Sequence, residues 1–215
     1  MRQGLTHNIE SIIEQVAQLE CIKPYLLCGG TALAMQIGHR KSEDLYFMMW
    51  RTSRTQKPEV DWNAIERELT EKIGTIDNFN MLGFDQVEFL VRGVKFSFFV
   101  SDNYSPVTAP IDYMGNIRLA DAVSIMAMKM EVMMRRSNFR DYYDIYSILQ
   151  AGIPIQELIS LALTYSGHRL KTKNLLAMLT NGSRFNRDAH FEQLMPVYQL
   201  TALEIENYIK NILTP

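Results

Sequence analysis

The chain has 215 residues, with 22 lysines and arginines against 24 aspartates and glutamates, a net charge of −2 at pH 7. This near-neutral balance argues against a protein that coats nucleic acid, because such domains are usually strongly basic. The apolar fraction of 47% excludes general disorder. Two cysteines and thirteen methionines are typical of a reducing compartment. No segment has the pattern of a signal peptide or the roughly 20 apolar residues of a membrane span, so we expect a cytoplasmic protein without a membrane partner.

The first half of the chain predicts alternating helices and strands. Apolar residues recur at helical spacing in some segments, and other segments form short apolar or alternating runs that are typical of strands. Arg92-Gly93 is a two-residue hairpin turn between two of the strands. The predicted elements are a helix over 9–19, strand 25–28, helix 31–37, strand 45–50, helix 58–73, and strands 76–82, 86–91 and 94–100.

After the prolines at positions 106 and 110 the pattern becomes helical throughout. The predicted helices cover 121–136, 141–151, 155–164, 171–179 and 203–212. We place a domain boundary near Gly115, with an α/β domain over 1–115 and a helical domain over 116–215. The predicted fold class is therefore α/β, a mixed sheet with flanking helices followed by a helical half.

The order strand, Gly29-Gly30, short helix and then a strand that begins with Asp44 has a chemical interpretation. Glycines permit close approach of a ligand to the backbone, and a helix N-terminus presents unpaired N–H groups to phosphate. Asp44 follows Gly30 by fourteen residues, on the next strand, where a carboxylate would hold Mg²⁺ against the phosphates of a nucleotide. The alternative is that the glycine pair is simply a tight turn.

Lysine 129 and two aspartates form the second group of candidates. Lys129 shares a helix face with Ile125 and Met133, where a charge is costly unless it pairs or reaches solvent. It meets either a phosphate or Asp144, or it is a surface lysine. Asp141 and Asp144 lie at a predicted helix start, where an acid favours the helix dipole, and we assign this simpler role to Asp141.

Residues 25–47 read YLLCGGTALAMQIGHRKSEDLYF, and this string resembles the first motif of the AbiEii/AbiGii-type nucleotidyltransferases, toxins of abortive-infection and toxin–antitoxin systems. Two later strings, Ala127-Met128-Lys129 and residues 140–146, are similar to the helical motifs of that family. The resemblance implies a nucleotidyltransferase-like fold, an NTP and Mg²⁺ as cofactors, and an acceptor such as tRNA or protein. It also implies a cognate antitoxin as a partner.

The resemblance further implies roles for individual residues. Gly29, Gly30 and Thr31 would cradle phosphate, Arg40 would contact it, and Asp44 would hold metal. Lys129 would neutralise charge on the phosphates, and Asp144 would hold Lys129 in place. His39, beside Arg40, is interpreted as a turn residue and not as a metal ligand.

Two positions depart from the family pattern. The family's Asp-x-Asp pair is Asp44-Leu45-Tyr46 here, and Ser97 stands where a later strand carries a third acid. Hydroxyls are poor replacements for carboxylates around Mg²⁺. The Arg92-Gly93 hairpin would place Glu88 opposite Ser97, so Glu88 either supplies a missing metal ligand or is a solvated edge charge.

Two functions therefore remain open from the sequence. One is Mg²⁺-dependent transfer of a nucleotidyl group from an NTP to RNA or protein. The other is a catalytically inactive protein of the same fold that binds a nucleotide or a protein at the position of the former active site. The absent carboxylates are the feature that separates the two.

Overall fold

The computed structural model describes residues 3–51, 53, 55, 57, 59–101, 108–186 and 189–214. The proline at 58, where the third helix was predicted to begin, and the proline at 106 lie outside these residues. No helix in the described part of the chain is long and apolar enough to cross a membrane.

The described residues form a mixed, seven-stranded sheet with flanking helices, as the sequence predicts. The strands are β1 (Leu26–Cys28), β2 (Asp44–Trp50), β3 (Ile76–Gly83), β4 (Gln86–Val91), β5 (Val94–Ser101), β6 (Ile111–Met114) and β7 (Ile117–Leu119). The helices are α1 (His7–Val16), α2 (Gly29–Ile37), α3 (Trp62–Lys72), α4 (Ala122–Val132), α5 (Phe139–Gln150), α6 (Ile155–Tyr165), α7 (Thr172–Leu179) and α8 (Ala202–Leu213). Two short 3₁₀ turns, Gly182–Arg184 and Phe191–Leu194, precede α8.

The strand order across the sheet is β3-β4-β5-β2-β1-β7-β6. Strand β2 runs parallel to β5, which aligns Asp44 with Lys95 and Tyr46 with Ser97. The predicted hairpin at Arg92-Gly93 is confirmed, and its register pairs Glu88 with Ser97. Because side chains alternate along a strand, Asp44 and Tyr46 share one face of β2 while Leu45 and Phe47 are buried on the other.

The β6–β7 hairpin was not predicted, because its strands have only four and three residues and little apolar alternation. Strand β7 pairs in parallel with β1 through Leu119 and Leu27, so the sheet continues beyond the proposed boundary at Gly115. Gly115 lies in the hairpin turn with φ +52°, and an added Cβ would lie 2.4 Å from the Ala17 carbonyl oxygen. The division into two domains stays a prediction.

Capping residues explain two of the differences in helix bounds. The third helix begins at Trp62 because the Asp61 carboxylate caps it, accepting from the backbone N–H of Ala64 at 3.2 Å. Helix α5 begins at Phe139, two residues earlier than predicted, because Asn138 accepts from the Arg140 N–H at 2.9 Å. Each cap satisfies an N–H that the helix leaves unpaired.

Candidate functional site

The turn from β1 into α2 forms one wall of the candidate site. Gly29 has φ +69°, in the left-handed region where glycine carries no steric penalty, and it makes a sharp entry into the helix. The N-cap residue, Cys28, makes no side-chain cap hydrogen bond, so its side chain satisfies none of the first-turn N–H groups. A Cβ at Gly30 would lie 2.4 Å from Nη2 of Arg40, so only glycine lets that guanidinium lie against the start of the helix.

Asp144 of α5 lies at the centre of a buried charge network behind Gly30. Its Oδ1 accepts from Nε2 of His39 at 2.8 Å and from Nε of Arg40 at 2.7 Å. Its Oδ2 accepts from Nη2 of Arg40 at 2.9 Å and lies 2.8 Å from Nζ of Lys129. Arg40 therefore binds both carboxylate oxygens through two guanidinium nitrogens, and this bidentate arrangement is stronger than a single hydrogen bond. Burial alone would raise the pKa of Asp144, but the charges of Arg40 and Lys129 hold it well below its ordinary value.

Lys129 of α4 bridges two carboxylates. Its Nζ lies 2.7 Å from Oδ1 of Asp141 and 2.8 Å from Oδ2 of Asp144, with the side chain 9% exposed. Burial opposes its charge, yet the two aspartates raise the pKa of Lys129, so it stays protonated. Arg136 completes the network by donating from Nε to Oδ2 of Asp141 at 2.8 Å. An ammonium has three N–H groups, and within the described residues two of them meet these carboxylates.

Strand β2 lies next to the start of α2, since a Cβ at Gly29 would lie 3.8 Å from Cβ of Tyr46, and this sheet wall is poor in carboxylates. Asp44 lies 3.5 Å from Nζ of Lys95, and both side chains are partly exposed. Tyr46 and Ser97 occupy the next register position, and the Ser97 hydroxyl donates to Oε1 of Glu88 at 3.2 Å. Burial raises the pKa of Tyr46, so this phenol is neutral near pH 7. Burial also raises the pKa of Asp44, although Lys95 opposes that effect.

A divalent metal fits this wall poorly. Asp44 is already paired with a lysine. Glu88, the other predicted metal ligand, is on β4, which β5 separates from β2, so the backbones of the two strands lie about 10 Å apart. No group of three or more histidine, cysteine, aspartate or glutamate side chains in the described part of the chain is placed to hold a metal ion. The residues present therefore do not form the three-carboxylate site that the family pattern implies.

The structure brings several of the predicted residues together. Gly30, Arg40, Lys129 and Asp144 meet behind the start of α2, and the predicted contact between Asp144 and Lys129 is present. The Thr31 hydroxyl, however, donates to the backbone carbonyl of Asp44 and lies 2.7 Å from the Ser42 Oγ. It secures the turn and does not face a ligand, so only the backbone N–H of Thr31 is left for the predicted phosphate contact.

Arg40 also differs from its predicted role. All three nitrogens of its guanidinium donate within the chain, to Asp144 and to the Lys41 carbonyl, and the residue is 5% exposed. Its position is therefore that of a residue that orients Asp144. A phosphate contact by Arg40 stays a prediction that this geometry does not favour.

Sequence reasoning missed the roles of His39 and Asp141. His39 is 2% exposed and hydrogen-bonded to Asp144, so it is more than a turn residue. Asp141 lies in the first turn of α5, but the cap is Asn138, and the Asp141 carboxylate binds Lys129 and Arg136. One signal was available, since residues three apart lie on the same helix face and Asp141 and Asp144 therefore point to the same partner.

The arrangement concentrates fixed positive charge where a triphosphate would meet the start of α2. Backbone N–H groups at a helix start and a desolvated ammonium are both suited to phosphate oxygens. Asp44, on the sheet wall, is a carboxylate with a raised pKa and partial solvent access, properties that suit a proton acceptor.

Comparison with known proteins agrees with this architecture. The family described as "Nucleotidyl transferase AbiEii toxin, Type IV TA system" matches residues 15–208. The protein aq_aa25 of Aquifex aeolicus is 26% identical over 204 residues, which cover 92% of this chain and 90% of that protein. The crystal structure of JHP933 from Helicobacter pylori shares the fold with a TM-score of 0.53 at 18% identity, over 97% of this chain and 93% of that one. The nucleotidyltransferase toxin MenT4 from Mycobacterium tuberculosis does so with a TM-score of 0.56 at 17% identity, over 96% and 85%.

Proposed function

Because the chain belongs to the AbiEii nucleotidyl transferase toxin family, we propose that its cleft binds an NTP and transfers a nucleotidyl group to an RNA, such as tRNA, or to a protein. The observation that supports this most is the buried ammonium of Lys129, fixed by Asp141 and Asp144 behind the start of α2. A buried, oriented cation beside unpaired helix N–H groups is suited to charge that develops on phosphate during transfer.

The residues have the following roles in this proposal. The N–H groups at Gly29, Gly30 and Thr31 and the third N–H of Lys129 bind the phosphates. The acceptor oxygen forms a bond to the α-phosphorus, and the bond from that phosphorus to pyrophosphate breaks. The proton of the attacking hydroxyl passes to Asp44, whose raised pKa suits this step.

The test is label transfer from each of four α-³²P-labelled NTPs to total tRNA and to protein. In Lys129→Met that thermal unfolding shows to be folded at the assay temperature, the rate should fall by about 100-fold, the effect of removing one preorganised donor. Lys173→Met, on the exposed surface of α7, removes the same charge and should leave the rate unchanged. Equal rates for wild type and Lys129→Met would refute the role given to Lys129.

A second candidate function is a nucleotide- or protein-binding module without catalysis. Tyr46 and Ser97 favour it, since both stand where the family pattern has acids. Calorimetric binding of an NTP that is lost in Lys129→Met, with no labelled product from any NTP, would support this second function.

We also propose a cognate antitoxin as partner, on the basis of the family's toxin–antitoxin description, and action in the cytoplasm, where NTPs and tRNA are found. Induced expression should slow growth of the host, and co-expression of the cognate antitoxin should restore it. Growth that is unaffected by induction of the folded protein would contradict a toxin function.

A further inference from the structure

The sheet wall of the cleft carries hydrogen-bond donors where a metal-binding wall carries acceptors. Asp44 is the one acid among the three positions of the family pattern, Tyr46 presents a hydroxyl, and the Ser97 hydroxyl already donates to Glu88. The phenol of Tyr46 makes no hydrogen bond to the part of the chain that the structure describes. Neutral hydroxyls and ammonium groups bind phosphate oxygens directly, whereas Mg²⁺ requires charged or carbonyl oxygens.

Lys95 lies beside Asp44 on the neighbouring strand. Its register position on β5 is directly opposite Asp44, and its Nζ is 3.5 Å from Oδ2 of that carboxylate. The Lys95 side chain is 43% exposed and therefore able to contact a ligand in the cleft. A divalent cation at Asp44 would stand within a few ångströms of this ammonium, and like charges at that range repel.

From this geometry we infer that Lys95 supplies the positive charge that a carboxylate-held divalent cation would bring, so that the cleft binds a nucleoside triphosphate without Mg²⁺. The inference rests on the proposed nucleotide site and specifies its chemistry. Lys129 faces the phosphates from the helical side and Lys95 from the sheet side, with Asp44 orienting Lys95.

The experiment is calorimetric titration of the full chain with ATP, once in EDTA and once in excess Mg²⁺. We expect dissociation constants that agree within about twofold in the two buffers. Lys95→Met should weaken binding in EDTA by about tenfold or more, which corresponds to about 1.4 kcal/mol. Lys95→Arg, which keeps the charge, should retain most of the affinity, and the surface control Lys173→Met should bind as wild type does. Thermal unfolding of each variant verifies that it is folded.

Two results would overturn the inference: binding at least tenfold tighter with Mg²⁺ than in EDTA, or wild-type affinity in folded Lys95→Met. In either case a nucleotide site that is lost in Lys129→Met would still stand, so the proposed function would survive. If no NTP binds in either buffer, the proposed nucleotide site itself is wrong and the inference fails with it.

Discussion

The two walls of the cleft differ in how their charges are held. On the helical wall, Asp144 accepts from three side chains, and its burial makes each partner necessary to the fold. On the sheet wall, Asp44 and Lys95 are each more than two-fifths exposed and meet at 3.5 Å. A buried charge that loses its partner is strongly destabilising, whereas an exposed pair contributes little. Substitution of a charged residue on the helical wall should therefore lower the stability of the fold, whereas substitution on the sheet wall should change the charge of the site with little effect on stability.

The sharpest test of this contrast is removal of Asp144. Asp144→Ala leaves Arg40 and Lys129 buried with fewer negative partners, and we expect a loss of about 3–5 kcal/mol in the free energy of unfolding. Asp44→Ala, on the sheet wall, should cost less than about 1 kcal/mol. Urea denaturation measures both. Similar losses for the two variants would contradict the contrast.

Restoring acids on the sheet wall should produce a metal response. Tyr46→Asp with Ser97→Asp would place three carboxylates on adjacent strands, near Glu88, and we expect a loss of about 2 kcal/mol from their mutual repulsion. Mg²⁺ should then stabilise the double variant, by about 2.7 kcal/mol at a concentration 100 times its dissociation constant. Thermal unfolding with and without Mg²⁺ measures this, with the wild type as control. An equal response of the two proteins would mean that these positions do not share a site.

Thr31 provides a smaller test, because its hydroxyl joins the helix start to the sheet. Thr31→Val keeps the side-chain shape and removes the contacts with Ser42 and the Asp44 carbonyl. We expect a loss of about 1–2 kcal/mol, because buried polar groups lose a partner, and no change in ATP affinity. Thr70→Val on the exposed face of α3 is the matched control and should change stability by less than about 0.5 kcal/mol. Loss of ATP affinity in folded Thr31→Val would mean that the Thr31 hydroxyl contacts the phosphates after all.

The smallest expected effect concerns pH. Burial, together with Arg40 and Lys129, lowers the pKa of His39 although Asp144 opposes this, so the folded protein holds a neutral imidazole that donates from Nε2. The unfolded chain takes up a proton below about pH 6.5, so this contribution to stability is present above that pH and is lost as the pH falls towards the folded pKa. His39→Gln should make the unfolding free energy less dependent on pH in this window, and the exposed control His7→Gln should not. An unchanged slope in His39→Gln would mean that His39 is charged in the fold.

Much of the fold follows from local patterns. Strands β4 and β5 and their register were predicted within one residue, since an apolar alternation and a two-residue turn fix both. The β6–β7 hairpin was missed because its strands are short and show little apolar alternation, and the parallel pairing of β7 with β1 joins segments that are distant in sequence. The family resemblance was confirmed over residues 15–208.

The roles given to the site residues stay predictions, and the sequence indicated some of their contacts but not others. A contact between Lys129 and Asp144 was one of the predicted alternatives, and it is present. The buried hydrogen bonds of Arg40 and Thr31 were not foreseen, because a polar residue in a turn gives no sign in the sequence of whether it faces solvent or the interior. The pairing of Asp44 with Lys95 depends on the parallel register of β2 and β5. These strands are separated in the sequence by α3, β3 and β4, so no local pattern predicts their register.

The contact between Arg40 and Asp144 spans 104 residues, and this separation has a consequence for synthesis in the cell. At a translation rate of about 5–20 residues per second, about 5–20 seconds pass between the addition of the arginine and that of its aspartate. Until then the nascent chain lacks the carboxylate that Arg40 and Lys129 bind, although β7, the parallel partner of β1, has already been made. An interrupted translation product that ends before Asp144 should therefore lack the buried charge network that joins α2, α4 and α5.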